Sequence, residues 1–125
     1  MTCGLFGQLV KVNSLERQIA FELDNAQIKY EKQMTHQFGR PDFLVNQGTC
    51  AVFVHGCFWH GHTCKDWEIS FLWKSKINAI IARDAEVRSY YARSRIKYFR
   101  VWECELRVIG ASNIVSKLAR FIGHH

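Results

Sequence analysis

Between Phe53 and Cys64 the chain concentrates side chains that hold metals, move protons or stack on rings: His55, Cys57, Phe58, Trp59, His60, His62 and Cys64. These twelve residues carry three of the six histidines and two of the five cysteines. Cys57, His62 and Cys64 can converge on one ion if the loop between them curls, and Gly61 eases that curl. A structural zinc takes four thiolate or imidazole ligands in a tetrahedron. The fourth must come from elsewhere, and Cys104, closing an expected core strand, is the natural source. The bland alternative is two buried small cysteines and a solvated histidine. Three ligand types within one short loop favour Zn²⁺ over it.

His55 and His60 are then left over. A lone histidine is more often a structural hydrogen-bonder than a catalyst. Two of them flanking a metal loop, at the same end of a hairpin as Asp42, shift the balance toward chemistry. A carboxylate such as Asp42 can hold Mg²⁺ together with waters and phosphate oxygens. A neutral imidazole can take a proton from water, and Asp84 could orient that imidazole. The set suits metal-assisted phosphodiester hydrolysis. Phe58 and Trp59 could both be core. Adjacent large rings in a glycine-containing, metal-braced loop do not easily both point inward, however, and aromatic wedges can unstack bases.

The elements that must position these residues follow from periodicity. Asn13 reads as an N-cap with Glu16 as its capping-box partner. Leu15, Ile19 and Leu23, with Val12 and Ala26, give a helical stripe, so the first helix is expected over Ser14 to Asn25. Met1 to Val12 is expected to be poorly ordered. Glu16 lies beside the stripe, as a cap residue or reaching inward to a site, the cap being the simpler role. Ile28 to Gln33 reads as an edge strand. Pro41 to Val45, a turn over Asn46 to Thr49, and Cys50 to Val54 read as a hairpin. A long helix is expected from Phe71 to Arg93, with Trp73, Ile77, Ile80, Ile81, Val87 and Tyr91 on one face. Asp84 falls on that face, where an unpaired carboxylate would be costly. Lys97 to Glu103 reads as a strand with Cys104 at its end. Ser112 or Asn113 can cap a last helix whose buried stripe is Ile114, Val115, Leu118 and Ile122. The order points to an α/β fold, a central mixed sheet with helices on both faces.

Length and composition set the outer bounds. The 125 residues, 48% hydrophobic and 22% charged, fit one globular domain over 1–125. Seventeen Lys and Arg against eleven Asp and Glu give a net charge of +6, which favours a polyanionic partner. An odd cysteine count, no signal-peptide pattern and no long apolar run point to a reducing, cytoplasmic setting without a membrane partner. Cys3 and Cys50 stand apart from the cluster and read as bystanders. His124 and His125 are given no role.

Taken together, these residues resemble the very short patch repair (Vsr) endonucleases, bacterial enzymes that nick DNA beside T:G mismatches. The resemblance rests on Gly39-Arg40-Pro41-Asp42-Phe43, on Phe53-Val54-His55-Gly56-Cys57-Phe58-Trp59-His60 with His62 and Cys64, and on Val101-Trp102-Glu103-Cys104-Glu105-Leu106-Arg107. Trp73 to Ile77 and Arg83-Asp84 lie between them in the family's order. The likeness spans roughly Ser14 to Arg107.

The resemblance implies a restriction-endonuclease-like (PD-(D/E)XK) fold with a structural zinc site. By it, Asp42 and the main-chain carbonyl of Val54 hold a catalytic Mg²⁺. His60 is the general base, Asp84 stands beside it, and His55 is a second catalytic histidine. Glu16 matches an acidic residue on the family's first helix. Cys57, His62, Cys64 and Cys104 match the Zn²⁺ ligands. Phe58 and Trp59 match the rings that wedge into DNA, and Arg40 and Trp73 are further DNA-contacting positions.

The implied substrate is double-stranded, mismatched DNA, cut by a monomer in the bacterial cytoplasm, at the nucleoid, with repair proteins as further partners. Two departures matter. Val54 stands where the family has threonine, so a main-chain role survives and a hydroxyl role does not. Met1 to Val12 does not match the family's longer DNA-inserting arm, and the family's long tail after the last helix has no counterpart. Nicking is therefore better supported than mismatch specificity. The alternatives are a Vsr-like nickase without mismatch preference and a catalytically silent zinc-containing DNA-binding module. A zinc deaminase is a remoter alternative, since the Glu of its H-x-E pattern is absent after the metal histidine.

Overall fold

In the computed structural model, residues 2–32 and 36–123 are described, residues 2–13 by their backbone only. Helix α1 (Thr2–Asn25) leads into the short strand β1 (Tyr30–Lys32). Strands β2 (Phe43–Val45) and β3 (Cys50–His55) form a hairpin. Helix α2 (Phe71–Arg93) crosses to β4 (Lys97–Trp102), followed by α3 (Glu103–Ile109) and α4 (Ala111–Ile122). The sheet order is β1-β2-β3-β4, with the first two pairings antiparallel and β3–β4 parallel.

The mixed sheet expected from the element order is present, and helices cover both faces. All six residues of β3 are buried, which requires cover on both sides of the strand. On one face Phe43, Val45, Cys50, Val52, Val54 and Val101 pack against Leu15, Ile19 and Leu23 of α1 and Ile114, Val115 and Leu118 of α4. On the other, Ala51 and Phe53 pack against Val87 and Tyr91 of α2. A third, aromatic cluster outside the sheet joins Phe58 and Ile77 with Trp59, Trp67, Ile69 and Trp73.

Four local expectations are corrected. The first helix begins at Thr2, so the backbone at Asn13 is already helical and the capping box with Glu16 does not exist. Asn and Ser cost a helix interior only about 0.5 kcal/mol each, too little to stop one. The segment Glu103–Ile109 is a helix rather than the tail of a strand, so Cys104 sits in its first turn. The i, i+4 pair Glu103–Arg107 supports that helix. The last helix starts from Gly110, and Asn113 instead donates to the Ile109 carbonyl at 2.6 Å. On α2, Ile81 is 43% exposed, so the buried stripe narrows to Ile77, Val87 and Tyr91. Gln33, the expected end of the edge strand, lies outside the described residues, as do His124 and His125.

Candidate metal and acid–base centre

The hairpin places the acidic residue and the histidine at one end. Asp42 continues the β2–β3 ladder, its N–H donating to the Val52 carbonyl at 2.9 Å. Its carboxylate accepts a 2.6 Å bond from the Val54 N–H. The Glu16 carboxyl of α1 lies against it. Burial, and then that neighbouring carboxyl, push Asp42 up to about 8, against the Val54 N–H, which draws it down. Two carboxyls so close cannot both ionise without a compensating charge. A proton or a divalent cation meets that need equally well, so the pair fits a cation site. Glu16 is thus not a cap: it reaches inward.

Just before this point Arg40 has a left-handed backbone (φ 53°) and is exposed. Gly39 precedes it at φ 79°, where a Cβ would meet Val87 Cγ1 at 2.7 Å, so the turn can press against α2 only with glycine there.

His55 ends β3, opposite Trp102 in the β3–β4 register. It is buried, and its Nδ1 finds no hydrogen-bond partner among the described residues. Burial first, then the neighbouring His60, hold it down to about 3, with Asp84 opposing. The ring is therefore neutral. His60 stacks on it with centroids 3.8 Å apart and planes 3° apart. Nδ1 of His60 lies 2.6 Å from Asp84 Oδ2. A carboxylate there holds the proton on Nδ1 and leaves Nε2 as the acceptor. The costly carboxylate on the apolar face of α2 is thus paired, as an inward-facing site requires. Asp42, Val54, His55, His60 and Asp84 line one cleft of about 220 Å³.

The second cluster is built from the same segment. Ligand atoms of Cys57, His62, Cys64 and Cys104 all lie within 4.8 Å of one another. Cys104 Sγ is 3.5 Å from His62 Nδ1. A tetrahedron with Zn–S distances of ~2.3 Å has edges of ~3.8 Å, so four donors at this spacing fit one ion. Burial pushes the Cys57 thiol up to about 12 and raises that of Cys104, so a metal binding here must displace protons. Gly61 permits the curl: at φ 64° its missing Cβ would collide with Ile81 Cδ1.

One supporting residue escaped sequence reasoning. Glu103 is buried, accepts the Cys57 N–H at 3.4 Å and pairs with Arg107. It ties the metal loop to α3. The Glu-x-x-x-Arg spacing on a helix could have revealed it, had α3 been recognised.

The rings differ from expectation. Phe58 is 3% exposed and Trp59 half-buried, and both point into the aromatic cluster. Phe58 lies edge-on to Trp67, and Trp59 to Trp73. Trp67 and Trp73, from outside the loop, supply the apolar surface that lets two adjacent rings both pack inward. Trp59 Nε1 is buried without a partner among the described residues. A concavity of about 790 Å³ lined by residues from Asp24 to Gly48 lies at the sheet's far edge and holds none of this chemistry. Among the described residues no helix is long and apolar enough to cross a membrane.

Comparison with known proteins agrees with the motifs. The family described as DNA mismatch endonuclease Vsr matches residues 11–66, which include Glu16, Asp42 and the segment from His55 to Cys64. The chain is 33% identical over 98 residues to the DNA mismatch endonuclease Vsr of Escherichia coli K12, covering 75% of this chain and 63% of that protein. It is 34% identical over 83 residues to a type II nicking enzyme of Neisseria meningitidis, covering 63% and 59%. A type II nicking enzyme of Xanthomonas oryzae is 38% identical over 77 residues, covering 58% and 57%. The chain thus spans about 60% of the length of these relatives.

Proposed function

We propose that this chain, whose residues 11–66 match the Vsr family model, is a DNA endonuclease that nicks one strand of a duplex. The observation that carries this reading is a single cleft lined by Asp42, His55, His60 and Asp84, with the Glu16 carboxyl against that of Asp42. The fold is then read as restriction-endonuclease-like, in one domain.

Asp42, with the Val54 carbonyl, would hold Mg²⁺, which when bound supplies charge neutralisation at the scissile phosphate. Asp42 is kept in place by the Val54 N–H, and Glu16 shares its charge load. His60 Nε2 takes a proton from the attacking water, and Asp84 fixes the tautomer that makes this possible. His55, neutral and stacked on His60, fixes the plane of the His60 ring. Cys57, His62, Cys64 and Cys104 would hold Zn²⁺, which braces the loop that carries His60. Arg40 and Trp73 flank the cleft and the aromatic cluster as DNA contacts.

The finer reading is cleavage beside a T:G mismatch, with Trp59 leaving its cluster to enter the base stack and Phe58 supporting it. Double-stranded DNA is then the partner, met in the bacterial cytoplasm. A second reading, nicking without mismatch preference, is favoured by the burial of Phe58 and by the likeness to type II nicking enzymes. Incubating the zinc-loaded protein with matched and T:G-mismatched duplexes, with and without Mg²⁺, tests both. Preferential nicking of the mismatch supports the first reading, and equal nicking supports the second. No strand cleavage of either duplex would sink the enzyme reading.

A further inference from the structure

The His60–Asp84 pair has a second side. Beyond it lies another cleft, of about 210 Å³, whose lining includes Arg88, Arg100 and Trp102 as well as His60 and Asp84. Arg88 follows Asp84 by one turn of α2, so the two share a helix face. Arg100 stands on β4 opposite Phe53, on the sheet face that carries His55. Arg100 is half-buried, and its guanidinium lies 4.7 Å over the Trp102 ring, which helps hold it in place.

Neither arginine has an ion-pair partner among the described residues. The nearest acid in the cleft, Asp84, is already committed to His60 at 2.6 Å. Arg88 from α2 and Arg100 from β4 line the same cleft, so the two guanidinium-bearing side chains reach it from two elements. Each guanidinium therefore keeps donors that no carboxylate of the described residues takes up.

We infer that Arg88 and Arg100 form a phosphodiester-binding subsite that grips a DNA backbone phosphate neighbouring the one in the Asp42 cleft. This inference rests on the nuclease reading above. The chemistry fits: a guanidinium offers a planar fork of donors that matches phosphate oxygens. The placement fits as well. The two clefts share the His60–Asp84 wall, and phosphates recur along a strand every ~3.4 Å of helix axis, so a strand seated in one cleft can present a neighbouring phosphate to the other. The subsite would fix the register of the strand against His60.

The test is equilibrium binding of the full zinc-loaded chain to a fluorescent duplex, without added Mg²⁺, over a range of salt. Arg88 is exposed, so Arg88→Gln keeps the fold even if loss of Arg100 unseats Trp102. The expected result for Arg88→Gln is about 3- to 10-fold weaker binding, with the slope of log K against log salt reduced by about 0.9. The Arg88→Gln/Arg100→Gln pair should bind more weakly still. Arg120→Gln, on α4 at the other face of the sheet, should change neither quantity. Wild-type affinity and slope in Arg88→Gln would overturn the inference, and so would an equal effect of Arg120→Gln. Because binding is read apart from cleavage, a wild type that binds with the stated arginine dependence but never cuts would leave the subsite standing and remove the nuclease reading.

Discussion

Two clusters grow from one twelve-residue segment, and they are built on opposite principles. The Cys57–His62–Cys64–Cys104 group is a complete set of soft donors, all within reach of one point. The Asp42–His55–His60–Asp84 group is incomplete: a carboxyl pair short of a cation, a buried imidazole nitrogen without a partner, and a cleft on either side. A closed set gains stability from its ion. An open set holds unmet needs that a substrate and a cation can satisfy, and it loses stability for doing so. Interleaving them lets the first hold the second rigid, since Gly56 to Gly61 is fixed at both ends.

The sharpest way to break this comparison is to attack the closed cluster. Removing its metal with a chelator, or Cys104→Ala, should lower Tm by about 10 °C or more, because structural zinc supplies folding energy outright. A change of less than a few degrees would make the cluster incidental. In the open cluster the opposite pattern is expected. Asp42→Asn should cut the nicking rate by at least ~10³-fold, while Tm stays constant or rises as the crowded acid pair is relieved. His60→Ala should cost about 10²- to 10⁴-fold in rate with zinc content unchanged. Asp84→Asn should cost less, about 10²-fold, since it removes tautomer control and leaves the acceptor. The smallest contrast lies between neighbouring rings. Phe58→Ala should destabilise by about 3–5 kcal/mol in denaturant unfolding, whereas Trp59→Ala should be milder in stability and felt more in DNA binding.

Much of this was legible in the residues. The hairpin, the bounds of α2 and the pairing demand on Asp84 follow from periodicity alone, because alternation and helical spacing report burial directly. The four metal-type ligands were legible because few other reasons gather Cys and His so densely. What stayed hidden was tertiary. Glu16 looked like a cap from the local pattern and entered the site only through the resemblance, and the packing of α1 on the sheet brings its carboxyl beside Asp42. Phe58 looked too crowded to bury because Trp67 and Trp73, which bury it, come from other parts of the chain. Glu103 and α3 were hidden because Lys97 to Trp102 is a strong strand whose end carries no Gly or Pro. The Arg88–Arg100 cleft combines a helix and a strand distant in sequence, which no motif spans.

The central claim is that one segment carries two separable centres, one for structure and one for chemistry. The most direct measurement is nicking of supercoiled plasmid as Mg²⁺ is titrated, with bound zinc followed in the same samples, for the wild type and Asp42→Asn. The account predicts nicking that depends on added Mg²⁺ while zinc stays near one per chain, and an Asp42→Asn protein that keeps its zinc but does not nick. Nicking that proceeds undiminished without Mg²⁺, or zinc lost together with Asp42, would contradict it.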